Sequence, residues 1–210
     1  EGDEWVIDGA KRWNSGMHAA THDLVFARTS GEDGDREGIT GFLVPTEAPG
    51  LEVEYFHWTF NMPTDHAEVD LDGVRVPDSA VVGEVGQGLG LARAFLYENR
   101  IRQAAASLGA AQFCIDETVA YARERETWGK PLASRQAIQF PLAELHTEAA
   151  MLRELVRKTA WRLDREGQFS GADRVSMVNY YANDFVCRAA DRAIQVHGGM
   201  GYSRAKPFEQ

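Results

Sequence analysis

Gly83-Glu84-Val85-Gly86-Gln87-Gly88 marks the point at which this sequence changes its hydrophobic period. Before it, Leu51-Glu52-Val53-Glu54-Tyr55 and Ala67-Glu68-Val69-Asp70-Leu71 alternate with period two, as half-buried antiparallel strands do. After it, apolar residues recur three or four positions apart, the spacing of one helix face. The β-forming and helical halves are therefore segregated, which predicts an α+β architecture. Residues 1–84 are expected to form an antiparallel β-barrel or sandwich-like domain. Residues 85–210 are expected to form an antiparallel helical bundle, an incomplete four-helix bundle.

In the first half, Trp5-Val6-Ile7, the pair Asp8-Gly9, and Ala10 to Trp13 read as a hairpin, because Asp-Gly suits a type I′ turn. Leu24 to Arg28 and Ile39 to Val44 are strand candidates. Ser30 to Gly38 between them is rich in Gly and Asp and reads as an exposed loop. Pro45, Pro49 and Pro77 fall at strand ends, where a missing N–H costs little.

In the second half, a helix from about Leu89 towards Arg125 carries Ala104, Leu108, Ala111, Ile115, Val119 and Ala122 on one face. Gly109 inside it predicts close helix packing. A second helix follows Pro131, with Ile138, Leu142, Leu145, Ala149, Leu152, Val156, Ala160 and Leu163 as its stripe and Pro141 near its start. A third runs from about Asp173 to His197, with Tyr181, Phe185, Ala189 and Val196 on its apolar side. Three such helices leave an apolar surface that further helices or another subunit would cover.

The chain has 210 residues, 44% hydrophobic and 26% charged, and a formal net charge of -10. That acidity argues against nucleic acid or an anionic membrane as partner, and it requires a local basic group for any phosphate-bearing ligand. Cys114 and Cys187, the only two cysteines, read as buried inert thiols in a reducing compartment. No run is apolar enough to span a bilayer. The expected localisation is cytoplasmic, or the mitochondrial matrix in a eukaryote.

Several motifs recur in an order that resembles the FAD-dependent acyl-CoA dehydrogenase family. They are Lys11-Arg12-Trp13-Asn14-Ser15-Gly16, Gly41-Phe42-Leu43-Val44-Pro45, Asp70-Leu71-Asp72-Gly73-Val74-Arg75-Val76-Pro77 and the Gly83–Gly88 stretch. Arg123-Glu124-Arg125-Glu126-Thr127-Trp128-Gly129-Lys130-Pro131-Leu132 follows, with Trp where the family usually has Phe. Gln136-Ala137-Ile138-Gln139-Phe140 and Gln195-Val196-His197-Gly198-Gly199-Met200-Gly201-Tyr202 complete the series. The resemblance covers essentially the whole chain and implies the middle and C-terminal parts of such an enzyme, truncated at both ends.

The resemblance implies FAD as cofactor and an acyl-CoA thioester as substrate, oxidised to a trans-2-enoyl-CoA with hydride transfer to the flavin. Trp13 and Ser15 would meet the flavin ring. The residues alone also allow a core aromatic followed by a turn Ser. Arg125, Thr127 and Trp128 would lie on the pyrophosphate side of FAD from a neighbouring subunit, with Gln136 in a similar role; an Arg fork suits phosphate. The alternative for Arg125 is a solvated side chain at a helix end. Gln195, Gly198 and Gly199 would border the adenine side, and a helix-stop role for the glycines is compatible with that. His197 reads as structural. Arg100, flanked by Leu96 and Tyr97, would line the acyl-CoA cleft; otherwise Arg100 pairs with Glu98 or another nearby acid at the surface.

Family members place the catalytic Glu either after the Gly-Gly turn or, in a minority, just before the residue matching Arg100. Asn99 occupies the second position, and Glu98 is about 100° away around a helix. No catalytic residue is therefore expected in this chain; the base is expected beyond Gln210, leaving the fragment inactive. Met62-Pro63-Thr64-Asp65 departs from the family's Met-Arg-x-Ser, which bears on substrate type and subunit contacts. The resemblance further implies a homodimer or homotetramer and an electron-transfer flavoprotein as acceptor. Alternatives are a same-fold oxidase, for acyl-CoA or nitroalkanes, or a non-catalytic interaction module.

Overall fold

The computed structural model describes residues 3–59, 62–167 and 169–208, and not the side chains of residues 62–65. Glu1, Gln210 and the side chains of Met62-Pro63-Thr64-Asp65 thus lie outside the described residues. Two compact units form, Glu1–Arg93 and Ala94–Gln210.

In the first unit, strands β1 (Glu4–Ser15), β5 (Met62–Pro77) and β4 (Leu51–Thr59) make one antiparallel sheet with β5 at its centre. Strands β2 (His22–Arg28), β3 (Ile39–Pro45) and β6 (Val81–Val82) make the other. Ile7, Val69, Leu71 and Val74 from one sheet share a single buried cluster with Val25, Phe42 and Val44 from the other. That shared core makes the unit a sandwich, and each such side chain contributes about 1.5–3 kcal/mol by leaving water.

The Asp8-Gly9 hairpin does not form. Residues 4–15 are one strand, and the register against β5 slips between Ile7 and Gly9. Gly9 takes φ +138°, and the Asp8 carboxylate accepts a 2.7 Å hydrogen bond from the Gly73 N–H on β5. The pair that suits a tight turn here makes a bulge, because a long partner strand is available to hold both flanks. Strand β5 likewise extends well past Ala67–Leu71, being paired on both sides.

The Gly83–Gly88 stretch joins this sandwich to α1 (Gly88–Glu124). The Gly86 N–H donates to the buried Thr40 hydroxyl at 2.9 Å, and that hydroxyl also meets the Thr29 hydroxyl at 2.8 Å. A Cβ at Gly88 would lie 2.8 Å from the Gly41 nitrogen and 2.9 Å from the Ile39 oxygen. Only glycine lets the first turn of the helix run this close to β3.

In the second unit, α1 continues and is followed by a short hairpin, β7 (Glu126–Thr127) and β8 (Lys130–Pro131), then by α2 (Gln136–Glu166) and α3 (Ala172–His197). Leu108, Ala111 and Ile115 of α1, Leu145, Leu152 and Val156 of α2, and Val178, Phe185 and Ala189 of α3 form the core. Pro141 sits inside α2 without ending it. Two expectations fail here. Gly109 packs against nothing, since an added Cβ would meet no atom within 4 Å. Its neighbour Leu108 takes the core position, and the helix turns Gly109 away from it. Cys114 is buried, and burial raises its thiol pKa, but Cys187 is exposed on the face of α3 opposite the core. Cys187 lines a shallow cleft of about 400 Å³ with Glu144, Glu148 and Arg188.

Candidate functional site

Trp13 sits where the β1–β5 register slips a second time, between Arg12 and Asn14. Its backbone takes φ +70°, a left-handed conformation that costs a bulky residue about 1–3 kcal/mol. The indole is 57% exposed, so it is not a core aromatic of the sandwich. It leans on His57 of β4, ring centroids 4.4 Å apart, and meets His66 of β5 edge-on at 6.4 Å. Two residues on, the Ser15 hydroxyl lies 2.7 Å from His66 Nδ1. Arg12 grips Glu68 at 2.6 Å, and that hydrogen bond, more than the charge attraction, holds the Glu68 carboxyl below its ordinary pKa. His57 Nε2 approaches the other Glu68 oxygen at 3.2 Å. The β unit thus presents an exposed indole and hydroxyl side by side, backed by two histidines.

The helical unit presents the second strained tryptophan. The β7–β8 hairpin turns through Trp128-Gly129 with φ +56° and +72°, the two positive angles of a type I′ turn. Trp128 is 93% exposed. Among the described residues, Trp13 and Trp128 are the only non-glycines in the left-handed region. Arg125, immediately after α1, is exposed; its N–H donates to the Tyr121 carbonyl at 2.9 Å and its carbonyl accepts from Leu132 N–H at 2.8 Å. Arg135 donates to the Thr127 carbonyl at 3.0 Å, fixing the hairpin against the start of α2, where Gln136 lies exposed.

The same end of the bundle carries the turn after α3. Gly198 ends the helix at φ +59°, its N–H donating to the Gln195 carbonyl. A Cβ at Gly198 or Gly199 would meet nothing within 4 Å, so both glycines leave open backbone that a flat ligand can approach. Beneath them His197 is buried and stacked on Tyr121 of α1, centroids 4.2 Å apart, with Nδ1 2.8 Å from the Ala193 carbonyl. Burial, partly offset by that hydrogen bond, holds its pKa below the ordinary value. His197 is a packing residue that ties the turn to α1, and Tyr121 connects it to the Arg125 segment.

Arg100 does not pair with Glu98. Its guanidinium lies 3.4 Å from the Ser176 hydroxyl on α3, and its carbonyl accepts from Asn179. Tyr97 meets Phe169 edge-on at 5.7 Å, and Leu96 is exposed. Glu98 instead lines a cleft of about 290 Å³ with Ala160 and Leu163 of α2. Asn99 accepts from Arg102 at 3.0 Å. Neither Glu98 nor Asn99 is therefore a carboxylate beside Arg100.

His57 and His66 were not among the residues singled out from sequence. The available signal was strand register: His57 pairs with His66, and His66 pairs with Ser15. No group of three or more His, Cys, Asp or Glu among the described residues could hold a metal ion. No helix among them is long and apolar enough to cross a membrane.

The family model for the acyl-CoA dehydrogenase middle domain matches residues 1–74, and that for the C-terminal domain matches residues 86–210. This chain belongs to the acyl-CoA dehydrogenase family. It is 35% identical over 213 residues to a Bacillus subtilis protein described as "Probable acyl-CoA dehydrogenase YngJ", covering 100% of this chain and 55% of that one. It is 32% identical to the 3-(aryl)acrylate reductase of Clostridium sporogenes, again covering 100% and 55%. The structure of butyryl-CoA dehydrogenase from Megasphaera elsdenii superposes with a TM-score of 0.91 at 30% identity, covering 99% of this chain and 54% of that one. The chain thus spans about half the length of the relatives it matches.

Proposed function

We propose that the whole protein is a flavoenzyme that removes hydrogen from the α and β carbons of an acyl-CoA thioester. The observation that carries this reading is the placement of the two left-handed residues. Trp13 and Trp128 are the aromatic residues that the family motifs set against FAD, and both are exposed at an energetic cost. The surroundings fit such a cofactor: Trp13 offers an indole face and Ser15 a hydroxyl for the ring, while Arg125 supplies a cation for phosphate on an otherwise acidic chain. Gln195, Gly198 and Gly199 offer open backbone for the adenine side. FAD held by these residues would supply the acceptor for the hydride leaving the β carbon.

This chain's own residues bind and orient. Trp13 covers one ring face and excludes water from it, and Ser15 presents a hydrogen bond at the ring edge. Arg125, Thr127, Trp128 and Gln136 hold the phosphate side of FAD from a neighbouring subunit in a homodimer or homotetramer. Leu96, Tyr97 and Arg100 border the acyl-CoA. Proton removal needs a carboxylate at the acyl α carbon, a role that Glu98, which lines a separate cleft, and the amide Asn99 do not fill. An electron-transfer flavoprotein is the acceptor in this reading.

The test is anaerobic absorption of the flavin in the whole protein during addition of a panel of acyl-CoAs. Bleaching of the oxidised band supports dehydrogenation and ranks chain lengths. A bound flavin that no acyl-CoA bleaches moves the substrate outside CoA thioesters. Because a 32% identical relative is named an arylacrylate reductase, the panel includes aryl-substituted acids and their unsaturated forms.

A further inference from the structure

We infer that His66 is a positioning residue that sets the direction of the Ser15 hydroxyl, keeping its single proton available to the flavin edge. The inference rests on the reading of Ser15 as a flavin contact. Ser15 is the last residue of β1 and stands directly opposite His66 on β5, which stands opposite His57 on β4. The 2.7 Å approach of Ser15 Oγ to His66 Nδ1 is therefore set by strand register, not by a free loop.

A serine hydroxyl has one proton and two lone pairs, and an imidazole nitrogen either donates or accepts. If His66 Nδ1 accepts, the Ser15 proton is spent on the histidine and only a lone pair faces outward. If Nδ1–H donates, it occupies an Oγ lone pair, and the Ser15 O–H is free to donate to an acceptor on the ring edge. The edge-on contact with Trp13 at 6.4 Å restricts the His66 ring, and Trp13 in turn rests tilted on the cross-strand neighbour His57 at 4.4 Å. His66, which borders the indole, thus also orients the hydroxyl beside it. Removing His66 frees the hydroxyl to rotate, which weakens its hydrogen bond to the flavin without touching the flavin itself.

The experiment measures flavin midpoint potential and absorption spectrum in the purified whole protein for Ser15→Ala, His66→Ala, His66→Asn and the Ser15→Ala/His66→Ala pair. Asn can place an N–H where His carries Nδ1–H, so it keeps the proposed donor and serves as the conservative variant. The expected result is that S15A and H66A shift the potential in the same direction, that H66N returns it to the wild-type value, and that the pair shifts no further than S15A. Wild-type potential and spectrum in H66A, alongside a shift in S15A, overturn the role of His66 and leave Ser15 as a flavin contact. An H66N variant that behaves like H66A also overturns it. No shift in S15A removes the flavin reading of Ser15, and the inference with it.

Discussion

The two tryptophans held at positive φ differ in what supports them. Trp13, in the β unit, stands on a bulge and rests its ring on His57, with Ser15 and His66 adjacent. Trp128, in the helical unit, stands at the tip of a two-residue turn and is 93% exposed. The same backbone strain is therefore partly repaid within the chain at one site and hardly at all at the other. A bulky residue in that conformation with no packing in return points to a contact made with something outside its own unit. Trp161, also exposed but on ordinary helix backbone with Lys158 3.9 Å over its ring, shows that exposure alone carries no such meaning.

The largest effect on stability is expected beneath neither tryptophan. Phe185→Ala, in the core of the helical unit, should cost about 3–5 kcal/mol in urea denaturation. It provides the scale against which the site residues are judged. Replacing each strained tryptophan by glycine should then separate the two sites. Trp128→Gly relieves the strain and loses almost no packing, so it should raise stability by about 1 kcal/mol. Trp13→Gly also loses the ring contact with His57 and should fall about 0.5–1.5 kcal/mol short of that gain. Equal effects at the two positions, measured by denaturant midpoint, would break the comparison.

A smaller effect concerns the turn near Trp128. Burial lowers the His197 pKa, so the folded chain favours the neutral ring. Its contribution to stability is complete above the unfolded value of about 6.5 and is lost as pH falls below that value towards the lowered folded one. Stability should therefore fall as pH drops through that window, and His197→Asn should flatten the fall. A wild-type stability curve with the same slope as H197N across that window would show that His197 does not carry the dependence.

Much of this fold was legible because the hydrophobic period changes once, at Gly83–Gly88, and the stripes of α2 and α3 fall on the buried residues Leu145, Leu152, Phe185 and Ala189. What was not legible depends on partners distant in sequence. Asp8-Gly9 reads as a hairpin turn until β5 is known to run alongside both flanks. Gly109 reads as a packing glycine until the helix is rotated against its neighbours. Cys187 reads as buried until Phe185 and Ala189 define the inward face. In the candidate site, motif order located Trp13 and Trp128, but nothing local in the sequence announces a positive φ at tryptophan. His57 and His66 remained hidden because they meet Ser15 and Trp13 only through the three-strand register.

Flavin retention is the direct readout of the strained tryptophans as flavin contacts. The measurement is the flavin-to-protein absorbance ratio of the purified whole protein for Trp13→Ala, Trp128→Ala and Trp161→Ala. Reduced flavin is expected in W13A and W128A, with wild-type content in W161A. Wild-type flavin content in both W13A and W128A would contradict it.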